Sequence, residues 1–405
     1  MKIGDARVVS TKLMLKNIIW TVLSRYGAQG LAVVSNILLA RYLGAEGFGE
    51  YALASAVLLI GNAFTNFGMD MVLIRKLSVT DVPWLLTDGL GGQLFLSLVY
   101  SGAVFFAGQF IDIPFTVQFY TLALFPLSFY SIFTIAVRAR GQMAMYSIAQ
   151  LLVAVLQFFA VSVLWMAKGD LYFLILALLL AHVLLAVWAG GQYKLRLEFI
   201  SSVRSFALLK ECLSMAGIGT LRLVYEKLPV TLLPSLSGFT GAGLFSVASR
   251  VTDAGKLGHL SAFTAMYPEM TRDDNFGKQQ KGLAPLLGFA FVISGLITFF
   301  AEPLVRFLFG DEFSKSALAL QVLAWSILPY VVVTYTSLGL VALGYEKPVF
   351  RSLLLALTAL LLLLFVLPLQ LGGVGSALAV LFAEVFHAAL LWLQWRKHVL
   401  SKLSG

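Results

Sequence analysis

The chain has 405 residues, 60% of them hydrophobic and only 12% charged, with a formal net charge of +9. A soluble domain carries about 25% charged residues, so most of this surface faces something other than water. Nucleic-acid binding would need a basic face on a soluble module, and no such module is present. Cys212 is the only cysteine, which excludes an intrachain disulfide and argues against a cysteine-based zinc site.

A helix crosses a bilayer core with about 20 consecutive apolar residues, and such runs recur along the whole chain, most plainly at 171–190 and 350–369. The first residues, MKIGDARVVSTKLMLK, are basic like a signal peptide. The apolar run from Asn17 to Ala40 that follows is too long for one and lacks a cleavage context, so it reads as the first spanning helix. In chain order the predicted spans are 17–39, 51–72, 89–109, 115–137, 146–166, 171–191, 213–235, 242–266, 283–301, 317–340, 350–370 and 374–395. The expected fold class is therefore an all-α polytopic membrane protein with about twelve transmembrane helices. No segment between the spans is long enough for a soluble catalytic domain.

Lys and Arg mark cytoplasmic loops. With the N-terminus inside, inner segments carry 20 Lys and Arg and outer ones only four, Arg41, Lys168, Arg306 and Lys315. Both termini are thus expected in the cytoplasm. Spans 7 and 8 hold several charges, and an alternative places 192–281 in the cytoplasm as a polar arm, leaving ten spans. An internal repeat favours twelve. GAEGFGEYALASAV (44–57) aligns with GFTGAGLFSVASRV (238–251), matching Gly44 to Gly238, Gly47 to Gly241 and Gly49 to Gly243. Further on, Pro126, Ala139 and Gly141 align with Pro329, Ala342 and Gly344. Two parallel six-helix lobes follow, 1–191 and 213–405, joined by a cytoplasmic segment, 192–212, that carries Lys194, Arg196, Arg204 and Lys210. In transporters built from such repeats the substrate site lies between the halves.

Charges inside spans define the candidate site. Span 1 carries Arg25, span 7 carries Arg222, Glu226 and Lys227, and span 8 carries Arg250, Asp253, Lys256 and His259. A charge at a helix centre costs about 2.5–3.5 kcal/mol on insertion scales, so these side chains are expected to face a bundle interior or a wet cavity. One reading makes them mutually neutralising pairs, Arg222 with Glu226 and Arg250 with Asp253. The other starts from five basic against two acidic residues, an excess of three positive charges. That excess calls for an anion, and phosphate is the anion that Arg recognises best. Arg25, Arg222, Lys227, Arg250 and Lys256 are thus the candidate substrate-binding residues, for an anionic head group. Asp70, Glu226, Asp253 and Glu384 are candidates for ion coupling, since intramembrane carboxylates often carry protons or sodium; pairing with neighbouring bases is the competing role.

Other features are weaker. Pro126 and Pro329 occupy matching positions and are read as bends or ordinary kinks, and Pro229 as a possible hinge. The glycines at 89, 91, 92, 372, 373 and 375 lack a strand–turn–helix setting and read as turns or close helix contacts, not phosphate loops. His182 and His387 read as packed or hydrogen-bonded histidines. The i, i+3 pair Glu384–His387 has the spacing of a carboxylate-bridged metal site but occurs once. No catalytic constellation, metal site or cofactor is expected.

RYLGAEGFGEYALASAVLLIGNAFTNFGMDMVLIRK (41–76) resembles the signature hairpin of the polysaccharide transporter family. The family includes the Wzx-type O-antigen flippases, within the multidrug/oligosaccharidyl-lipid/polysaccharide superfamily. The resemblance rests on Arg41-Tyr42-Leu43-Gly44, Glu46 before Gly47-Phe48-Gly49, Tyr51, and Phe67-Gly68-Met69-Asp70 leading to Arg75. It implies flipping of an undecaprenyl-diphosphate-linked oligosaccharide across a bacterial inner membrane by alternating access. It also implies a cationic central cavity, coupling to H+ or Na+ in some members, and association with other glycan-assembly membrane proteins. Arg25 and Arg250 fit that cavity, whereas the heavily charged span 7 departs from the pattern. Two alternatives stay open: a multidrug or other lipid exporter of the same superfamily, and a membrane oligosaccharide polymerase or ligase. The basic excess counts against a cation exporter, and the short outer loops count against an enzyme.

Overall fold

The computed structural model describes residues 11–79, 82, 84–193, 200–270 and 276–400, with the side chains of 11–26, 193, 214–216, 218, 257, 260–282 and 399–400 outside the description. The described residues form helices and no strand. In chain order these are α1 (Thr11–Asn66), α2 (Met69–Val79), α3 (Trp84–Ala107), α4 (Phe115–Tyr120), α5 (Leu124–Ala139), α6 (Met143–Ala167) and α7 (Leu171–Tyr193). They continue with α8 (Ser202–Met270), α9 (Phe276–Phe299), α10 (Ala301–Phe309), α11 (Ser316–Ala324), α12 (Ile327–Ala342) and α13 (Glu346–Trp395).

Eight helical stretches among the described residues are long and apolar enough to cross a membrane, and α9 with α10, bent by 69°, makes a ninth. Three of the eight, of 40, 38 and 53 residues, are too long for one crossing, because a helix spans a core of about 30 Å with about 20 residues. Each of the three breaks at a glycine: Gly44 (φ 67°, ψ −177°), Gly238 (φ 75°, ψ 171°) and Gly372 (φ 53°, ψ −130°). Counting two spans in each gives the twelve that hydropathy predicts. The ten-span alternative gives way, since 219–256 is itself apolar enough to cross.

The repeat survives in the backbone. Gly44 and Gly238 share one conformation, and Gly141 (φ 69°) and Gly344 (φ 78°) both take positive φ. Helices α5 and α12 are both 16 residues long and start and end at matched positions. Each follows a break, a 3-10 turn at Thr121–Ala123 before α5 and a turn at 325–326 before α12. Pro126 and Pro329 are the third residues of these helices, where a missing N–H leaves no bond unmade. The carbonyls at the breaks find hydroxyls instead. Ser101 Oγ donates to Thr121 O at 3.2 Å and Ser128 Oγ to Leu124 O at 2.8 Å, while in the second half Ser294 Oγ donates to Ala324 O at 2.7 Å. The prolines mark bends, as expected.

Span 3, expected from 89, starts at Trp84, and two further boundaries differ from expectation. Span 2, expected to end at 72, stops at a turn where Phe67 (φ 44°) and Gly68 (φ 71°) leave the helical region. The short helix α2 follows it and buries Met69, Val72 and Leu73 against α3 and α5. Span 7, expected from 213, belongs to a helix that starts at Ser202. By contacts the chain forms two compact units: residues 1–42 with 58–219, and residues 43–57 with 220–405. In the first, α5 lies against α2, α3, α6 and α7; in the second, α12 lies against α9 and α13. Helix α7 shows why the outside is as apolar as the inside: it buries Leu174, Leu178 and Leu185 and exposes Leu176, Leu180, Leu184 and Val187. Such a helix suits lipid, not water.

Candidate cationic site

Three helical segments of the second unit carry most of the candidate charged side chains, the two arms of α8 and the second arm of α13, and a fourth, residues 43–57 of α1, packs beside them. The last is pinned at its start. The Ala45 N–H donates to Glu312 Oε1 at 2.7 Å, satisfying one of the free donors of a helix N-terminus. It then crosses the second arm of α8 at a pair of matched glycines. A Cβ at Gly49 would fall on the carbonyl oxygen of Phe239, and one at Gly243 on that of Ala45, while Gly49 Cβ would stand 2.9 Å from Gly243 N. No other residue type permits this approach of two backbones. The crossing sets Phe48, fully buried, beside Phe313 in an edge contact of 6.2 Å. Two turns beyond Gly243, the Arg250 guanidinium lies 5.4 Å from the Phe48 ring centroid. Cations favour such a ring face.

The remaining charges are partly neutralised. Arg222 Nε donates to Glu226 Oε1 at 3.1 Å, the expected i, i+4 pair. Asp253 does not take Arg250 as its partner; it pairs with Lys256 at 3.7 Å, and Lys256 also lies 5.0 Å from the Tyr330 ring centroid. Arg250 thus has an aromatic partner but no carboxylate among the described residues, although Asp253 and Tyr51 are within its electrostatic reach. Lys227 is half-buried without an ionic partner among the described residues. Arg25 lies on the first arm of α1, and its side chain is outside the described set. Arg222 and Glu226 keep 46% and 44% of their side-chain surface open. In a membrane-spanning segment that surface must meet a wet space, because lipid offers nothing to a charge.

Of the candidate coupling carboxylates, Asp70 sits in the first turn of α2 and faces Arg138 at 3.8 Å. Glu226 and Asp253 are in the pairs just named. Glu384 is different: it is 7% exposed and its Oε2 has no hydrogen-bond partner among the described residues. Arg222, Glu226 and Lys256 are the charges in its reach. Two other orphaned atoms adjoin it, His387 Nε2 and Tyr225 OH, on rings that meet edge to face at 6.0 Å. The charge count that favoured an anion left Glu384 out; when ionised it trims the excess by one. Among the described residues no three His, Cys, Asp or Glu side chains group as a metal site. The helix runs through Pro229 without a break, and the chain turns at Ser237–Gly238. His182 bonds Leu178 O at 2.6 Å, as a packed histidine should. Sequence reasoning missed Tyr225, Phe48 and Asp88, the last being a buried carboxylate just outside the expected start of span 3; a lone acid in an apolar, glycine-rich stretch was its signal.

A search of curated protein sequences finds no match. Solved structures do match. The lipid II flippase MurJ in an inward closed conformation superposes with a TM-score of 0.79 at 14% identity, over 93% of this chain and 87% of that one. An inward-facing multidrug resistance MATE family transporter of the MOP superfamily gives 0.72 at 16% identity, over 92% and 95%. The MATE multidrug transporter DinF-BH gives 0.68 at 18% identity, over 98% of each chain. At these identities the likeness establishes the fold, two lobes of six spans. The family model for polysaccharide biosynthesis proteins matches residues 14–272, more than half of the sequence, and the chain belongs to that family.

Proposed function

We propose that the protein flips an undecaprenyl-diphosphate-linked oligosaccharide from the cytoplasmic to the outer leaflet of the cell inner membrane by alternating access. The observation that carries this is Arg250: a half-buried guanidinium in a spanning segment, held by an aromatic ring and lacking a carboxylate partner among the described residues. A guanidinium so placed is poised for an outside anion, and its planar fork matches a diphosphate bidentately. In this reading Arg25 and Arg222 complete the phosphate site, and Lys227 and Lys256 set its potential. The lobes that rock are 1–191 and 213–405, with both termini in the cytoplasm and 192–212 along the inner surface. Other glycan-assembly membrane proteins deliver and receive the substrate. Glu384 is the coupling carboxylate among the four candidates, because its Oε2 alone is free to exchange an ion; H+ or Na+ is that ion.

Deleting the gene tests the reading. A lipid-linked oligosaccharide should accumulate on the inner leaflet, and its chemistry names the glycan. No accumulation, with instead a gain in sensitivity to cationic drugs, would favour the multidrug reading that the MATE likeness keeps open. Cysteines at Ser237 and Gln279 test the topology: labelling of Ser237 from outside and Gln279 from inside is expected.

A further inference from the structure

The segment joining the halves reads in sequence as a basic connector. Its described part, 200–212, is built into the first contact unit, and the fastening is specific. Asp88, in the first turns of α3, has a side chain only 1% exposed. It accepts from Arg204 Nε at 2.6 Å, from Arg204 Nη2 at 3.3 Å and from the Ser201 N–H at 3.1 Å. Its backbone carbonyl accepts from Ser205 Oγ at 2.8 Å. The guanidinium also lies 5.3 Å from the Trp84 ring centroid, and the hydrogen bond it donates to Asp88 raises its pKa further. Three glycines of α3 make the seat. A Cβ at Gly91 would stand 2.5 Å from Ile200 Cγ2 and 2.8 Å from Ser205 Oγ, and one at Gly92 would stand 3.5 Å from Leu209 Cγ. Gly89 faces Leu73 at 2.8 Å and Leu208 at 3.9 Å by the same construction. Leu208, Leu209 and Cys212 are buried in one cluster with Leu73, Leu90 and Ile132, and Lys76 pairs with Glu211 at 2.5 Å.

We propose that residues 200–212 are a permanently docked part of the N-terminal unit, that Asp88 and Arg204 are its positioning residues, and that the joint between the halves begins only after Cys212. Lifting the segment would break the Asp88–Arg204 ion pair and its accompanying hydrogen bonds together, and would uncover the apolar faces of Leu208, Leu209 and Cys212. The next residues, Leu213 to Gly219, carry no charge and include Gly217 and Gly219, and the contact boundary falls at Gly219. A pivot there transmits motion through a continuous helix from a fixed base.

The native cysteine reports docking without any knowledge of the substrate. Burial, helped by the Glu211 charge, pushes the Cys212 thiol up to about 11, so the docked protein holds little thiolate. Maleimide labelling of the wild-type full-length protein in membranes should be slow and should stay slow during turnover. Arg204→Ala should speed labelling by about tenfold or more and lower export activity, with Arg204→Lys between the two. A second test locks the segment. In a Cys212→Ser background, Gly91→Cys with Ser205→Cys puts two Cβ atoms at the 3.7 Å found for that pair, close to the usual disulfide spacing of about 3.8 Å. Where Ile200 blocks folding, Ile200→Ala clears the site. The oxidised protein should export as the reduced protein does. Labelling that rises with turnover, Arg204→Ala that is both fully active and unlabelled, or export lost on oxidation and restored by reductant would each overturn the proposal. The activity arms rest on the flippase reading; the labelling arms do not, so a protein that flips no lipid-linked sugar would fail that reading and leave docking to be judged by Cys212.

Discussion

Asp88 and Glu384 are the two buried carboxylates among the described residues, one in each contact unit, and the fold treats them oppositely. Asp88 is closed off by a guanidinium, a backbone N–H and a glycine seat. Glu384 has one oxygen without a partner, beside a histidine and a tyrosine in the same state. The contrast extends outward. In the first unit many buried polar side chains bond one another and the carbonyls at the helix break, as with Gln93 and Ser131 at 3.1 Å and Ser97 and Ser128 at 3.2 Å, while Asn66 Oδ1 and Tyr130 OH have no partner among the described residues. In the second, Ser246, Thr298, Thr334 and Ser376 hold buried hydroxyls without partners among the described residues, and Arg250 has an aromatic ring where a carboxylate would satisfy it. Satisfied polar networks rigidify a core, and each unsatisfied buried group calls for its own explanation, a functional role among them. Under the proposed function, Asp88 serves the frame, and the unsatisfied side chains of the second unit serve the site.

The largest effect should come from the least satisfied cation. Arg250→Ala removes a guanidinium that makes no ion pair among the described residues, so membrane abundance should hold while transport falls about 10- to 100-fold, the worth of one bidentate charge-assisted contact. Arg250→Lys should also impair transport, since an ammonium cannot offer the fork. Arg222→Ala should fall short of this, because Glu226 already occupies that guanidinium. Well-expressed Arg→Ala variants at Arg25, Arg222 and Arg250 that all restore a deletion strain would make the charges structural and dissolve the contrast.

Next is the crossing that places Arg250. Gly49→Ala or Gly243→Ala puts a methyl on a backbone carbonyl that cannot swing aside. Each should cost about 1–3 kcal/mol as overpacking, read as lost abundance or a lower melting temperature in detergent. Gly47→Ala, whose Cβ would meet only the side chain of Leu43 at 3.1 Å, serves as the control. Equal damage at all three positions would mean that the glycines matter for helix propensity and not for the crossing.

Much of this was legible in the residues and some was not, for physical reasons. Twelve spans follow from hydropathy, and the repeat from Gly44 and Gly238 follows because only a few residues tolerate that backbone. The basic residues of spans 7 and 8 were found because charge is conspicuous in an apolar run. Which charges pair was not legible: Asp253 can reach Arg250 at i−3 or Lys256 at i+3, and only rotamers and neighbours choose. Asp88 was passed over because its partner lies 116 positions away. Phe67-Gly68 was read through as helix because Phe gives no sign of the left-handed turn it makes there.

The two carboxylates give the direct test of frame against site. Asp88→Asn keeps shape and weakens charge-assisted bonds to neutral ones, so it should cost about 1–2 kcal/mol and show as lower abundance and faster Cys212 labelling. Glu384→Gln loses no bond at Oε2, so abundance should stay near wild type, while the dependence of transport on the proton or sodium gradient should disappear. A destabilised Glu384→Gln with unchanged ion dependence would make Glu384 another framing residue, and coupling would pass to the membrane potential acting on the charged substrate.

The smallest effect belongs to the lysines, and it sharpens what the arginines are for. Lys256 balances Asp253 and lies over the Tyr330 ring, and Lys227 has no directed partner among the described residues. Both roles need a positive charge near a place rather than a planar fork at a spot. Lys227→Arg and Lys256→Arg keep that charge, and a guanidinium sits over a ring as well as an ammonium does. Transport should therefore stay within about twofold of wild type, roughly 0.4 kcal/mol, while Lys→Gln at either position should lower it by weakening the local potential felt by a phosphate. The comparison is with Arg250→Lys in the same membranes: an asymmetry, with Arg→Lys harmful and Lys→Arg harmless, means that the substrate is gripped by geometry at Arg250 and only attracted at Lys227 and Lys256. Symmetric tolerance would mean that charge alone suffices everywhere, and the diphosphate fork would lose its physical basis.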